Sequence, residues 1–356
     1  MQAAGVRAVV DSRSIAVAGL VEVVPHLPRI WREFRKLCRS VVETRPDVAV
    51  LTDSPDFHLR LAKKLRGQGI PVVYLIAPQA WAWRRGRVRT LRANVQRLLC
   101  IFPFEEEFFR GYGVPATYIG HPLARLVRPS MTRSEFLDRF NLSPDRPIVA
   151  LLPGSRLGEV ARHLPHLLDA VRRIQAARSE KNHPATFILA LPPGFGFKTS
   201  EIRHTVKFWE RDGGASIKVI EGLTWDVLAR AELALAASGT VTIEAALLGA
   251  PMVTFYRVNQ LSWWLGRWLV RAPFLSMVNL VAGRRVAPEL IQGEMTGKRI
   301  AEEALRLMES EEARAEMRAG LDQVRAKLAS GGDPMETAAG WIERVFSESK
   351  PTVSVP

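Results

Sequence analysis

Apolar and polar positions follow two alternating rhythms along the chain. Short β-branched or aliphatic runs recur between stretches with helical spacing, the pattern of a mostly parallel sheet with crossover helices. In the first half, Val48–Thr52, Pro71–Ile76, Arg97–Phe102 and Thr117–Gly120 predict strands, and Val6–Val10 is a weaker run of the same kind. Ile30–Thr44 and Phe57–Gly67 predict helices between them. Arg125–Pro147 is polar, carries Pro129, Pro144 and Pro147, and reads as a boundary. The alternation restarts with Ile148–Leu152, Thr186–Leu191, Ile217–Ile220, Leu233–Ala236 and Pro251–Tyr256. Ala301–Leu328 predicts one long helix, which Gly331-Gly332-Asp333-Pro334 breaks before a last helix near Met335–Phe346. The expectation is two Rossmann-like doubly wound α/β domains, 1–140 and 147–330, facing a cleft. A C-terminal helix at 335–350 is placed to pack back on the first.

Composition narrows the class. With 356 residues, 47% hydrophobic and 24% charged, the chain is globular and long enough for two packed domains. Two cysteines, Cys38 and Cys100, build neither a disulfide framework nor a zinc site, so a reducing cytosol is expected. No secretory signal pattern is read. The longest apolar stretch, Leu261–Ala282, is interrupted by Arg267, Arg271 and Pro273, which argues against a spanning helix. Charge adds a positive clue: the formal net charge is +14, and 40 of the 50 basic residues are Arg. Guanidinium forks match phosphate and carboxylate oxygens, so nucleic acid, anionic lipid and phosphorylated small molecules all fit. A G+C-rich genome raises Arg content as well.

Ligands in open α/β sheets bind beyond the carboxyl ends of strands, so the loops there carry the candidate chemistry. The first is Leu152-Pro153-Gly154-Ser155-Arg156. Gly154 allows close backbone approach, Ser155 is a candidate N-cap, and Arg156 can fork onto a phosphate. An ordinary strand–turn–helix has the same sequence, and no Gly-Lys-Ser/Thr makes it a P-loop. The second is Ser238-Gly239-Thr240-Val241-Thr242 with Glu244, a candidate diphosphate cradle with a carboxylate one turn on for ribose hydroxyls; a capping box explains it equally. The third is Asp53-Ser54-Pro55-Asp56: Asp53 at the strand tip is a candidate general base, and Asp56 reads as the helix N-cap. His121 also ends a strand, but no His/Asp/Glu spacing proposes a metal site.

Two segments interleave aromatic and basic residues. One is Trp81-Ala82-Trp83-Arg84-Arg85, running on to Arg89 and Arg92, which share a face with Arg85 if helical. The other is Trp263-Trp264-Leu265-Gly266-Arg267-Trp268-Leu269-Val270-Arg271. Rings at headgroup depth with cations on lipid phosphates suit a membrane interface, and nucleobase stacking or inward packing would use the same residues.

In this order the pieces resemble the lipid-A-disaccharide synthases, bacterial glycosyltransferases of the GT-B fold. The likeness rests on Pro78-Gln79-Ala80-Trp81-Ala82-Trp83-Arg84, Phe102-Pro103-Phe104-Glu105, Ile119-Gly120-His121-Pro122 and Leu152-Pro153-Gly154-Ser155-Arg156. It continues through Ala237-Ser238-Gly239-Thr240 with Glu244, Pro251-Met252-Val253 with Tyr256-Arg257, and Asn279-Leu280-Val281-Ala282-Gly283. The resemblance implies transfer of a diacylglucosamine unit from UDP to the 6-hydroxyl of diacylglucosamine 1-phosphate. The implied products are a β-1,6-linked disaccharide and UDP, with inversion and with neither metal nor other cofactor. It implies Asp53 as general base, Arg156 on the donor phosphate, Ser238–Thr242 on the diphosphate and Glu244 on the ribose. Gly154, Ser155, Tyr256, Arg257 and Asn279 fall on the same donor side. Acylated substrates imply work at the cytoplasmic leaflet of the inner membrane. There Trp81, Trp83, Arg84, Arg85, Trp263, Trp264, Arg267, Trp268 and Arg271 are candidate acceptor or membrane contacts. No nucleic-acid partner is expected, and a homo-oligomer is left open.

One departure stands out. Met1-Gln2-Ala3-Ala4-Gly5 matches an internal stretch of the family, whose members carry a preceding strand–loop–helix–strand with a Gly-Glu-x-Ser-Gly-Asp loop. The expectation is a first domain incomplete at its start, with unpaired strand edges and little activity. The competing readings are another UDP-sugar GT-B enzyme (a cell-wall N-acetylglucosaminyltransferase or a UDP-sugar epimerase), a nucleic-acid-binding protein, and a catalytically impaired membrane-surface binder.

Overall fold

The computed structural model describes residues 5–10, 24–259, 263–264 and 272–349. Residues up to 122 together with 331 onward form one compact unit, and 123–330 form a second.

The first unit contains α1 (Leu27–Thr44), β1 (Ala49–Thr52), α2 (Pro55–Arg66), β2 (Val72–Leu75), α3 (Arg87–Asn94), β3 (Arg97–Cys100), α4 (Pro103–Gly111) and β4 (Ala116–Tyr118). The strands pair in parallel in the order β1-β2-β3-β4. Val73, Leu99 and Ile119 are buried with Ala338 and Val345 of the last helix of the chain. That helix also carries Trp341, whose ring lies under the Arg97 guanidinium at 4.0 Å. Val6–Val10 is not a strand, contrary to its apolar pattern: Val6 is exposed and no neighbouring strand pairs with the run. An apolar run specifies a strand only where a ladder receives it.

The second unit contains α5 (Leu123–Leu126), α6 (Arg133–Arg139), β5 (Ile148–Leu152), α7 (Leu157–Glu180), β6 (Thr186–Leu191), α8 (Phe197–Arg211), β7 (Ile217–Glu221), α9 (Thr224–Arg230) and β8 (Leu233–Ala237). It continues with α10 (Thr240–Leu247), β9 (Met252–Tyr256), α11 (Met277–Ala282), β10 (Glu289–Ile291), α12 (Gly297–Glu309) and α13 (Glu311–Ala329). The last helix, α14 (Pro334–Ser349), returns to the first unit. The second sheet is parallel throughout, in the order β10-β9-β8-β5-β6-β7. β5 and β8 are buried along their whole length, as uninterrupted aliphatic runs require when helices cover both faces. This is the doubly wound order, and it reverses between β5 and β8.

Three boundaries differ from the sequence pattern. The segment read as a boundary at 125–147 folds with the second unit, where the buried Asp226 carboxylate accepts from Ser130 N and Oγ and from Met131 N at 2.7–2.9 Å. Ala301–Leu328 is two helices, α12 and α13. Ser310 divides them, its hydroxyl capping α13 through Ala313 N at 3.1 Å, with Glu311 and Glu312 favourable in the first turn. The short edge strand β10 opens on a buried Glu289, and so carries no apolar run to announce it.

Candidate functional site

In the second unit the switch point between β5 and β8 puts two loops side by side. After β5 the chain passes Gly154 at φ +127°, a conformation that disfavours any Cβ. A Cβ there would also lie 2.7 Å from the Glu159 side chain, which folds back over the loop. Glu159 Oε2 accepts from Ser155 N at 3.0 Å and Arg156 N at 3.2 Å, and Oε1 meets the Arg156 guanidinium at 3.2 Å. The N-cap of α7 is therefore Arg156, closed by Glu159 three residues on, and not Ser155. A carboxylate thus occupies backbone donors at a helix start, a position whose chemistry suits any anion. The Arg156 side chain is largely exposed.

After β8, Ser238 donates its N–H to Phe255 O and its hydroxyl to Leu275 O, each at 2.8 Å. Thr242 is buried and its hydroxyl donates to Gly239 O at 2.8 Å. These bonds tie both hydroxyls into the fold, and α10 begins at Thr240 with no side-chain cap and no acid in its first turn. Val241 is half-buried in that turn. Glu244 does not reach back to the cap; its Oε2 accepts from Trp225 Nε1 at 2.9 Å. Burial raises its pKa against that bond.

After β9 come Tyr256 and Arg257, both half-buried. Two histidines on α7, which the sequence reading passed over, meet Arg257. His163 Nε2 lies 3.2 Å from Arg257 N, and His166 Nε2 lies 2.6 Å from Arg257 Nη1. The other nitrogen of His163, Nδ1, is 2.6 Å from Pro153 O.

Asn279 needs correcting. It is 0% exposed and uses all its polar valences internally. Its Nδ2 donates to Ala287 O and Glu289 Oε1, both 2.9 Å, and its Oδ1 accepts from Val286 N at 2.7 Å and Ala287 N at 2.9 Å. Glu289 in turn accepts from Leu275 N and from Ser276 N and Oγ. Asn279 is thus the anchor of the Leu275–Ser276 turn, on which Ser238 leans, rather than a ligand contact.

In the first unit Asp53 follows β1 and is exposed, with φ +57°; Ser54 is left-handed too, at +39°. Two consecutive non-glycine residues in that region mark local strain. The Asp53 carbonyl is held by Tyr74 Oη and His58 Nδ1, both at 2.8 Å. Burial and the Asp53 carboxylate push the Tyr74 hydroxyl far up, so it remains a donor. Ser54, not Asp56, occupies the N-cap of α2. Asp56 instead pairs with Arg84 through both oxygens, at 2.8 and 2.9 Å, and with Arg87 at 2.8 Å. Partial burial works to raise its pKa, and the two guanidinium groups overcome that and hold it below the usual range.

The tryptophans of this segment pack inward. Trp81 is 8% exposed and donates to buried Glu105, while Trp83 is half-buried with the Arg84 and Arg87 guanidinium groups each 4.7 Å from its ring. Trp81 therefore has no face to offer a membrane or acceptor. Arg85 is exposed but precedes α3, so it shares no helix face with Arg89 and Arg92. His121 is buried and neutral, its pKa lowered by desolvation to about 4.

Of the second aromatic segment, Trp263 and Trp264 are exposed, Trp264 at 60%; Arg267, Trp268 and Arg271 lie outside the described residues. A surface missed by the sequence reading is α1. Leu27, Trp31, Phe34, Cys38 and Val42 form one helical stripe. Phe34 packs on Phe57 at 5.3 Å, whereas Leu27, Trp31 and Val42 stay exposed beside Arg29, Arg32, Arg35 and Arg39. No described helix is long and apolar enough to cross a membrane.

A family model described as lipid-A-disaccharide synthetase matches residues 1–338. The lipid-A-disaccharide synthase of Solibacter usitatus is 59% identical over 97% of this chain and 87% of its own length. That of Myxococcus xanthus is 42% identical over 96% and 87%. Among solved structures, a putative UDP-N-acetylglucosamine 2-epimerase from Listeria monocytogenes superposes with a TM-score of 0.60 at 14% identity, covering 97% of this chain and 83% of that one. The trehalose 6-phosphate synthase of Burkholderia multivorans gives 0.57 at 12%, covering 95% and 78%. At such identities these structures establish the fold alone, that of GT-B glycosyltransferases and epimerases.

Proposed function

Because the chain belongs to the lipid-A-disaccharide synthetase family, we propose that it joins UDP-2,3-diacylglucosamine to 2,3-diacylglucosamine 1-phosphate. The products are the β-1,6-linked disaccharide 1-phosphate and UDP. The observation that carries the site assignment is the strand order of the second sheet, with the Gly154–Arg156 and Ser238–Thr242 loops at its reversal.

In this reading the donor diphosphate lies against the start of α10, which no side chain caps, and beside the Gly154–Arg156 loop. Arg156 and Arg257 supply positive charge, and Glu244 accepts from the ribose. The acceptor 6-hydroxyl attacks the anomeric carbon of the donor in line. Its proton passes to Asp53, the bond to the diphosphate oxygen breaks, and UDP leaves with the electron pair. Charge developing on the leaving phosphate meets fixed N–H dipoles and guanidinium groups, which stabilise it without reorganising. Asp53 suits the base because its carboxylate is exposed at a strand tip whose backbone is pinned by Tyr74 and His58.

The acyl chains put the reaction at the cytoplasmic leaflet of the inner membrane, with the enzyme bound peripherally. The exposed apolar stripe and arginines of α1, and the exposed Trp263 and Trp264, support that placement. The test is acceptor-dependent UDP release from UDP-diacylglucosamine. Release that disappears in Asp53→Ala is expected; no release from a folded enzyme, or release without acceptor, would overturn the reading.

A further inference from the structure

β5 and β9 are not neighbours, because β8 lies between them. Nothing in the sheet ladder therefore fixes the loop after β5 to the loop after β9. Among the described residues, a contact on α7 does so. His163 is 0% exposed, with Nδ1 at 2.6 Å from Pro153 O and Nε2 at 3.2 Å from Arg257 N. Nε2 lies equally 3.2 Å from Arg257 O, so each ring nitrogen faces a carbonyl. A neutral ring carries one proton, and the shorter 2.6 Å contact places it on Nδ1 toward Pro153 O, which leaves Nε2 to receive the Arg257 N–H. Burial lowers the His163 pKa and favours this neutral form.

His166, one turn on, faces the other end of the same residue. Its Nε2 is 2.6 Å from Arg257 Nη1, and a guanidinium has only donors. His166 must therefore accept, and be neutral. One helix thus holds Arg257 by both backbone and side chain, and the Gly154 loop by its first carbonyl. We propose that His163 and His166 are positioning residues for glycosyl transfer, clamping Arg257 and the Pro153–Arg156 loop at the separation the donor diphosphate needs. This rests on the reading of Arg257 as a donor contact.

The experiment measures KM for UDP-diacylglucosamine, KM for the acceptor, kcat and thermal melting in His166→Leu, His166→Gln and Arg257→Ala, and in the His166→Leu/Arg257→Ala double variant. Gln offers an amide oxygen where His166 has its accepting nitrogen. Losing a bond to a charged group should raise the donor KM about tenfold in His166→Leu. kcat, acceptor KM and melting should stay near wild type, and His166→Gln should recover most of the loss. In the Arg257→Ala background, His166→Leu should add nothing. A raised donor KM in Arg257→Ala with none in His166→Leu overturns the clamp and leaves Arg257 as a donor contact. An unchanged donor KM in Arg257→Ala removes the premise itself. His163→Gln, which keeps one donor and one acceptor, should fold and bind donor better than His163→Leu; equal donor KM values in the two would also refute the clamp.

Discussion

Trp81 donates its indole N–H to Glu105 at 2.9 Å, and both residues are buried in the first unit. The second carboxylate oxygen accepts from Phe102 N at 3.2 Å and so closes the start of α4. Desolvation nevertheless outweighs these bonds and pushes the Glu105 pKa up to about 7. Between the ordinary carboxylate range and pH 7 the folded state keeps a proton that the unfolded chain releases, so stability falls as pH rises through this window. Above pH 7 the full penalty applies, on the order of 3 kcal/mol. Glu105→Gln has no charge to bury and should melt higher than wild type at pH 8. At pH 5 the advantage should vanish or reverse. Melting curves at the two pH values test this; a variant equally destabilised at both would show the carboxylate to be well accommodated.

Asp53 stands apart from such structural carboxylates because its own backbone, not its side chain, carries the hydrogen bonds that fix the loop. Asp53→Asn should therefore fold normally and bind UDP as wild type. Removing a general base lowers kcat by about 10² to 10⁴-fold. Single-turnover rates with saturating donor, set beside UDP titration calorimetry, separate the two effects. Equal losses in UDP affinity and rate would make Asp53 a binding residue.

How far the sequence foretold this depends on what each residue does with its neighbours. β5 was legible because Ile148–Leu152 is aliphatic throughout, and a strand buried on both faces has to be. The Gly154 and Ser238 loops were legible for a related reason: small residues between an aliphatic run and a helix have few other uses. The N-cap at Arg156 was not, since it depends on Glu159 folding back over Gly154, which only distances reveal. Nor was the clamp on Arg257, because histidines on a helix carry no periodic signal of their own. Asn279 was recognised as part of a family motif, but its structural part was not legible: four internal hydrogen bonds look the same in a sequence as none.

That bonding has its own consequence. Asn279→Leu would leave Val286 N–H, Ala287 N–H and a lobe of Glu289 without their partner in the interior. Each buried unmet group costs about 1–3 kcal/mol, so a loss of roughly 3 kcal/mol is expected for the second unit. For a domain of this size that lowers its Tm by about 10 °C. Differential scanning calorimetry measures it directly. Normal melting with a selective loss of donor binding would return Asn279 to the ligand side.

Two exposed aromatic surfaces compete as the proposed membrane contact: Trp263 and Trp264, in the segment the sequence reading favoured, and α1, which it missed. On α1, Leu27 and Trp31 are about half exposed, one turn apart, with the Arg35 guanidinium 5.5 Å from the Trp31 ring. Such a stripe can lie at headgroup depth while Arg29, Arg32 and Arg39 meet lipid phosphates. Burying one large apolar side chain in the interface is worth about 1.5–3 kcal/mol. Leu27→Ser with Trp31→Ser should then lower the fraction co-sedimenting with phosphatidylglycerol-containing vesicles at least tenfold, roughly 1.4 kcal/mol or more. Raising salt should weaken wild-type binding as the arginines are screened. The comparison is Trp263→Ser with Trp264→Ser, which removes the second exposed aromatic pair. A loss confined to the α1 variant assigns the contact to that helix, whereas a loss confined to the tryptophan pair moves it to the second unit.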